Sequence, residues 1–364
     1  MVKLRGRAGT PGATSIIRRT VEISREPAHL CLRHNQLVLK RGDEVAGSIP
    51  CEDVGMVVVD HPQATYTHAL LARLTDVGAV VVVCGPTHLP AGLLLPLADH
   101  TEVVWRLEDQ ISASVPTRKR LWQQIVRAKI IAQAENLAPD SPTRGRLLAM
   151  ARDVKSGDAE AHESQAARIY WQAWLIEGAE ADPPSLREGG PGAAESPPDQ
   201  PRPSIDELHP FHRDADGDGL NALLNYGYAI VRAAVARALV SAGLHPALGV
   251  QHRNRGNAFC LADDLMEPLR PLVDRRARWL WWSGERDLAQ PVKAELLKVL
   301  TDEVSAGTDR GPLQVALHRY TASFVRCLRK EDDRLLIPRV TPGTQVSNGA
   351  DPPCASAATD PCGS

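Results

Sequence analysis

Through the first hundred residues, apolar positions recur at every second residue; further on they recur at every third or fourth. Thr20-Val-Glu-Ile-Ser alternates, as do Leu30-Cys-Leu-Arg and Leu37-Val-Leu-Lys on either side of the turn-like His34-Asn35, and Met56-Val-Val-Val follows a glycine. This is the pattern of strands. A short helix through Leu70, Leu71 and Leu74 is predicted before a last strand in the run from Val77 to Cys84. From Leu107 the period becomes 3.6. Leu121, Trp122, Ile125, Val126, Ile130, Ile131 and Ala134 mark one amphipathic helix, and others are predicted over 144–153, 159–176, 219–242, 258–270, 290–304 and 312–329. The expected fold class is therefore α+β. A basic extension over 1–18 leads into a small β-rich domain over 19–103, and a larger all-α domain follows over 104–340.

Two stretches stand outside this plan. Residues 178–204 carry seven prolines and four glycines, the composition of a flexible insertion, and residues 341–364 form a polar Pro/Gly/Ser-rich tail that we expect to be disordered. The chain has 364 residues, 43% of them apolar, enough to bury a sizeable core. No apolar run approaches the roughly 18 uncharged residues of a membrane span, and the start lacks the apolar centre of a secretory signal. A cytoplasmic protein with no membrane role is expected. Seven cysteines at 31, 51, 84, 260, 327, 354 and 362, with no Cys-x-x-Cys pair, do not form a disulfide framework. The formal charge of −2 argues against indiscriminate nucleic-acid adhesion. Yet residues 1–19 hold five basic residues and no acid, and Arg118, Lys119, Arg120, Arg127 and Lys129 follow Asp109 without another acid before 134. Local patches of this kind suit a polyanion.

Candidate chemistry is concentrated in the helical half. If 159–176 is a helix, Glu163 heads the stripe completed by Ala167, Tyr170 and Trp174, a carboxylate where an apolar residue would normally sit. A first-turn carboxylate favoured by the helix dipole accounts for it equally well. In 258–270, Phe259, Leu261, Ala262, Leu265, Met266 and Leu269 make the buried side, leaving Asp263, Asp264 and Glu267 opposite. Periodicity alone favours a solvated acidic face. The preceding loop, Gln251-His-Arg-Asn-Arg-Gly, sets His252 among polar residues, and a divalent ion working on phosphate needs carboxylate oxygens with an occasional imidazole.

Other motifs are weaker. Asp214-Ala-Asp216-Gly-Asp218-Gly219 opens like a calcium loop, but its twelfth position is Asn225, so an Asp-rich cap before 219–242, with Asp218 the favoured capping acid, is the better reading. Cys31 with His34 and Cys84 with His88 could be halves of a zinc site, which the strand alternation at 31–34 disfavours. No dinucleotide fingerprint, P-loop or G-x-S-x-G elbow occurs.

Several stretches together resemble a known family, the CRISPR adaptation integrases, metal-dependent nucleases that insert spacers into a CRISPR array. The resemblance runs from about Arg19 to Leu336. It is densest in Thr20-Val-Glu-Ile-Ser, Gly47-Ser-Ile-Pro, Thr67-His-Ala-Leu-Leu, His88-Leu-Pro-Ala-Gly-Leu-Leu-Leu-Pro and Leu121-Trp-Gln-Gln-Ile-Val-Arg-Ala-Lys-Ile. Glu163-Ser-Gln-Ala-Ala-Arg-Ile-Tyr-Trp, Asn221-Ala-Leu-Leu-Asn-Tyr-Gly-Tyr, Gly249-Val-Gln-His-Arg-Asn and Leu261-Ala-Asp-Asp-Leu-Met-Glu-Pro continue it, the last looking like the type II branch. The resemblance implies an N-terminal β domain and a helical catalytic domain. It also implies Glu163, His252 and Glu267 as catalytic ligands of Mg²⁺ or Mn²⁺, with Asp264 beside them as an auxiliary or indirect ligand. Double-stranded DNA, a homodimer and a small ferredoxin-like adaptation subunit completing a heterohexamer are the implied partners, with an RNA-guided effector nuclease working alongside. The helix over 110–134 and Arg253, Arg255, Arg275, Arg276 and Arg278 are then candidate phosphate contacts. The basic extension, the 178–204 insertion, Gly256 and Leu269 depart from the family pattern. Two other function classes compete: a stand-alone repair or transposition nuclease of the same fold, and a non-catalytic DNA-binding scaffold.

Overall fold

The computed structural model describes residues 18–97, 100–177, 211, 213–214 and 217–340. The extension up to residue 17, the 178–204 insertion, the tail from 341, Asp216, Cys354 and Cys362 lie outside the described residues.

Two four-stranded sheets make the N-terminal part. In the first, β1 (Arg19–Ile23), β5 (Val54–Val59) and β7 (Val80–Cys84) run parallel and β8 (Pro90–Leu94) is antiparallel to β7. In the second, β4 (Glu44–Pro50), β3 (Gln36–Arg41) and β2 (His29–Arg33) form a meander, and β6 (Thr65–Tyr66) joins β2 in parallel. The turn between β2 and β3 is His34-Asn35, both at positive φ. Every residue of β5 is buried because its sheet is covered on both sides. Val57, Val59 and Val81 pack with Leu30 and Leu37 of the second sheet and with Leu70 and Leu74 of α1 (His68–Asp76), whereas Met56, Val58, Val80 and Val82 belong to the core of the helical half. One sheet is thus shared between the two cores. The Lys293 ammonium reinforces the seam by pairing with Asp60, whose other oxygen meets His88 Nδ1 at 3.0 Å.

The helical half begins with α2 (Val103–Ser112), α3 (Val115–Glu135), α4 (Pro142–Asp153) and α5 (His162–Glu177). Ser114 and Ser141 cap α3 and α4, each accepting from a backbone N–H three residues on, and each is followed by a proline in the first turn. The centre is α6 (Leu220–Ser241). It is long and apolar enough by length and composition to cross a membrane, a property hidden from a search for uncharged runs by Arg232 and Arg237, but most of it is buried inside the protein. Then come α7 (Cys260–Met266), a 3-10 turn (Glu267–Leu269), α8 (Arg270–Trp282), α9 (Gln290–Leu297) and α10 (Leu313–Leu328).

Two expectations need correction. The periodicity places a single helix over 258–270, but the chain breaks it at Glu267, and α8, a helix not among those expected, starts at Arg270 between Pro268 and Pro271. Proline fits the first turn of a helix, where its missing N–H costs nothing, so this pair initiates α8. The helix expected over 290–304 ends earlier. Residues from Glu303 onward enter a three-stranded sheet of β9 (Glu303–Ala306), β10 (Asp309–Pro312) and β11 (Arg339–Val340), so the helical half is not all-α.

Gly227 sets how closely α6 meets α8. A Cβ there would lie 2.4 Å from Val273 Cγ1, closer than atoms can approach. Gly227→Ala should therefore destabilise the protein by about 1–3 kcal/mol, read as a lower midpoint in denaturant unfolding. Val273→Ala in the same chain should recover part of that loss, and a double variant no more stable than Gly227→Ala would contradict the packing argument.

Candidate active site

Four segments converge beside α3. Lys129 lies on the inward face of that helix, among Ile125, Val126, Ile130 and Gln133, all buried. Its Nζ stands 2.7 Å from Glu163 Oε1 and 2.6 Å from Glu267 Oε2. Glu163 reaches it from the first turn of α5, which Asp158 caps by accepting the N–H groups of His162 and Glu163 at 2.9 and 3.0 Å. The two sequence readings of Glu163 are thus both satisfied: it is a first-turn carboxylate, and it points inward. Glu267 comes from the 3-10 turn, and its other oxygen accepts from Arg270 Nε at 2.8 Å.

Burial alone would raise the Glu267 carboxyl, but Arg270 and Lys129 override it and hold the group at about 2. The same buried setting works against the charge on Lys129, and Glu267 and then Glu163 pull its pKa above the ordinary lysine value. Arg270 is held over the Tyr228 ring, 4.6 Å from its centroid. Tyr228 donates to Asp274, which also accepts from the Tyr170 hydroxyl at 2.9 Å, and Asn136 donates to that hydroxyl at 3.0 Å. Burial pushes Asp274 up to about 6, against the hydrogen bonds from Tyr228 and Tyr170. Through this buried network α5, which carries Glu163, is locked to the segment that carries Glu267 and Arg270.

His252 is held separately. Asp264 is a fully buried residue of α7 whose carboxylate fills the centre of the preceding loop, accepting from the N–H groups of Val250 at 2.6 Å, Gln251 at 2.9 Å and His252 at 3.2 Å. Its Oδ1 also meets His252 Nδ1 at 2.6 Å. The loop can wrap so tightly because position 249 is glycine, where a Cβ would stand 2.3 Å from the His252 carbonyl oxygen. The hydrogen bond that the ring donates to Asp264 raises the pKa of the imidazole above its ordinary value; desolvation opposes this, and the charges of Asp264, Glu267 and Glu163 add to it. Nδ1 is committed to Asp264, so Nε2 is the nitrogen left to meet a ligand.

The structure therefore sorts the expected site residues. Glu163 and Glu267 meet at one ammonium, and His252 lies near enough to feel both charges. Asp264 anchors the His252 loop, its two oxygens engaged by four N–H or ring-nitrogen contacts. The solvated acidic face is corrected: Asp263, Asp264 and Glu267 are all buried, with Asp263 paired to Arg232 and Asn257. Lys129, Arg276 and Arg278 are not surface phosphate contacts. Arg276 pairs with Glu295 and Asp302, and Arg278 donates to the carbonyls of Asn136 and Trp174, near the ends of α3 and α5. Arg253 and Arg255 are exposed and Arg275 is half-buried.

Among the described residues no three His, Cys, Asp or Glu side chains stand close enough to hold a metal ion as they are placed. At the former calcium-loop candidate, Arg213 donates to Asn225 and Asn221. The helix cap there is Gly219 with no side-chain capping bond, so the expected cap by Asp218 is not formed. The residues that the sequence reading missed here are Lys129, Arg270, Tyr228 and Asp274.

The model of the family described as CRISPR associated protein Cas1 matches residues 21–177 and 210–297. The chain belongs to the Cas1 family. A CRISPR-associated endonuclease Cas1 from Neisseria meningitidis is 33% identical over 319 residues, 86% of this chain and 93% of that one. Among solved structures, a casposase bound to an integration product superposes with a TM-score of 0.65 at 18% identity, covering 87% of this chain and 92% of that one. A Cas6-RT-Cas1–Cas2 complex gives 0.63 at 17% identity over 90% of this chain and 37% of that one. At these identities the two structures establish a shared fold: an N-terminal β part with a helical C-terminal part, as in Cas1.

The ion pairs make stability depend on acid. A carboxyl held low in the folded state contributes stability that is fully present above its ordinary value of 4.5 and is lost as pH falls through about 2. Comparing metal-free wild type with Glu267→Gln, the stability gap should be largest above pH 4.5 and should close towards pH 2. A gap independent of pH would contradict the assignment of Glu267 as the anionic partner of Lys129 and Arg270.

Proposed function

We propose that this protein is a metal-dependent DNA endonuclease and integrase that inserts spacer DNA into a CRISPR array in antiviral adaptive defence. The observation that carries the reading is the meeting of Glu163 and Glu267, from separate segments, at one cationic centre in a Cas1-family chain. The donor set fits the metal: two carboxylates, one held firmly anionic, and an imidazole whose far nitrogen is fixed by a buried carboxylate. Glu163, His252 through Nε2, and Glu267 would hold the ion. When bound, Mg²⁺ or Mn²⁺ supplies Lewis-acid stabilisation of the charge that builds on the attacked phosphate.

The remaining work falls to the chain. In integration the 3′-hydroxyl of a spacer fragment attacks a phosphodiester of the repeat, forming one P–O bond and breaking another so that a repeat 3′-hydroxyl leaves. Water in place of the fragment gives hydrolysis. Asp264 holds the His252 ring so that Nε2 faces the reaction, and Arg270 keeps Glu267 charged while its own guanidinium stays against Tyr228. Exposed Arg253 and Arg255 on the His252 loop, with Lys119, Arg120 and Arg127 on the outer face of α3, offer phosphate contacts that position DNA. Double-stranded DNA, a second copy of the chain and a Cas2-type subunit in a heterohexamer are the proposed partners. Neighbours of similar fold solved as a Cas6-RT-Cas1–Cas2 complex and as a casposase bound to an integration product support that reading.

Glu163→Gln, His252→Ala and Glu267→Gln should each reduce integration of a labelled fragment into a supercoiled repeat plasmid to background, with DNA affinity within about threefold of wild type, since affinity rests on distributed Lys and Arg contacts. Asp264→Asn should lower activity by about 10–100-fold through the His252 ring. Wild-type turnover by Glu267→Gln would overturn the site assignment.

A further inference from the structure

The charges at the site already balance. Glu163 and Glu267 bring two negative charges, and Lys129 and Arg270 bring two positive ones. Adding a divalent cation between the carboxylates would place four positive charges against two negative ones in a buried setting, a repulsion the low local dielectric makes severe. One resident cation has to give way. Arg270 cannot easily do so: its guanidinium is hydrogen-bonded to Glu267, stacked on Tyr228 and tied through that ring to Asp274. Lys129 is held differently. Its ammonium sits at the end of a flexible four-carbon stem, and the contacts that define its position are the two carboxylate oxygens themselves.

We propose that Lys129 is a resident counter-ion that fills the cation position between Glu163 and Glu267 in the metal-free protein, and that a divalent ion must displace it to bind. This inference rests on the reading of Glu163 and Glu267 as metal ligands. It gives Lys129 two effects of opposite sign. Without metal, the ammonium keeps buried Glu267 and half-buried Glu163 from repelling one another, so the site stays assembled. With metal, the same ammonium is a competitor, and the apparent affinity for the ion is lowered by the stability of the lysine-bridged arrangement. Lys129 is thus a positioning residue that sets the ion concentration at which the site loads. A lysine with only a packing role would have no such effect on metal affinity.

The test is Mn²⁺ binding by the full-length protein, followed by calorimetry and by the melting temperature with and without the ion. Lys129→Met keeps the length of the side chain and removes its charge. It should melt below wild type without metal, bind Mn²⁺ about tenfold more tightly and show the larger metal-induced rise in melting temperature. Lys129→Arg keeps the charge and should show no such tightening. If Lys129→Met does not fold without Mn²⁺, Lys129→Gln carries the same expectation, because a neutral amide can still donate to one carboxylate. Mn²⁺ bound by wild type and lost in Glu163→Gln, but bound no more tightly by Lys129→Met or Lys129→Gln, overturns the counter-ion role and leaves the metal site standing. No Mn²⁺ binding by wild type or any Lys129 variant overturns both.

Discussion

Two carboxylates within hydrogen-bond reach of one nitrogen, Glu267 buried and Glu163 half-buried, are the constraint around which the helical half of this protein is arranged. Like charges in a poorly solvated interior repel, and each also loses its hydration. The fold meets both costs with cations delivered by other elements. Lys129 reaches across from the core helix α3, and Arg270 comes from the helix that starts just after Glu267. The Asn136, Tyr170, Asp274 and Tyr228 chain then holds the elements in register. Removing either cation weakens the compensation of buried Glu267, which is why the site and the core cannot be altered independently.

The third residue of the proposed donor set obeys different physics. His252 is exposed, and its orientation comes from a backbone turn wound around a buried carboxylate. Gly249 makes that turn possible. The result is a gradient: an exposed rim carrying His252, Arg253 and Arg255, and a floor at Glu267 where water is excluded. A phosphodiester strand can meet the rim without entering the core, and the floor supplies charge that is fixed before the substrate arrives.

How much of this could be read from residues alone depends on whether the signal was local. Glu163 interrupts an apolar stripe and stands out in any helical projection. Glu267 stands out less, because it reads as one of three acids opposite an apolar stripe, a pattern that periodicity assigns to a solvated face, and the 3-10 turn that carries it inward leaves no periodic mark. Lys129 was misread because its basic neighbours made α3 look like a charged patch. The available signal was its spacing from Trp122, Ile125, Val126 and Gln133, which places a lysine on the buried stripe. Arg276 and Arg278 went astray for the same reason, within a helix whose leading prolines concealed it. The place of β11 in the small sheet was illegible because Arg339 pairs with Ser305, and pairing between segments so far apart leaves no mark on local periodicity, whereas the β9–β10 hairpin around Gly307-Thr308 is local and was overrun by the helix expected to 304.

The central claim is that Glu163, Glu267 and His252 form one cation site with Asp264 standing behind the histidine. A crystal structure of the Mn²⁺-soaked protein, with anomalous scattering recorded at the manganese edge, tests it most directly. The account predicts a single strong peak in contact with Glu163, Glu267 and His252 Nε2, with Asp264 still bonded to Nδ1 and the Lys129 ammonium moved out of the position between the carboxylates. A peak coordinated by Asp264 instead of His252, or one placed away from Glu163 and Glu267, would contradict it.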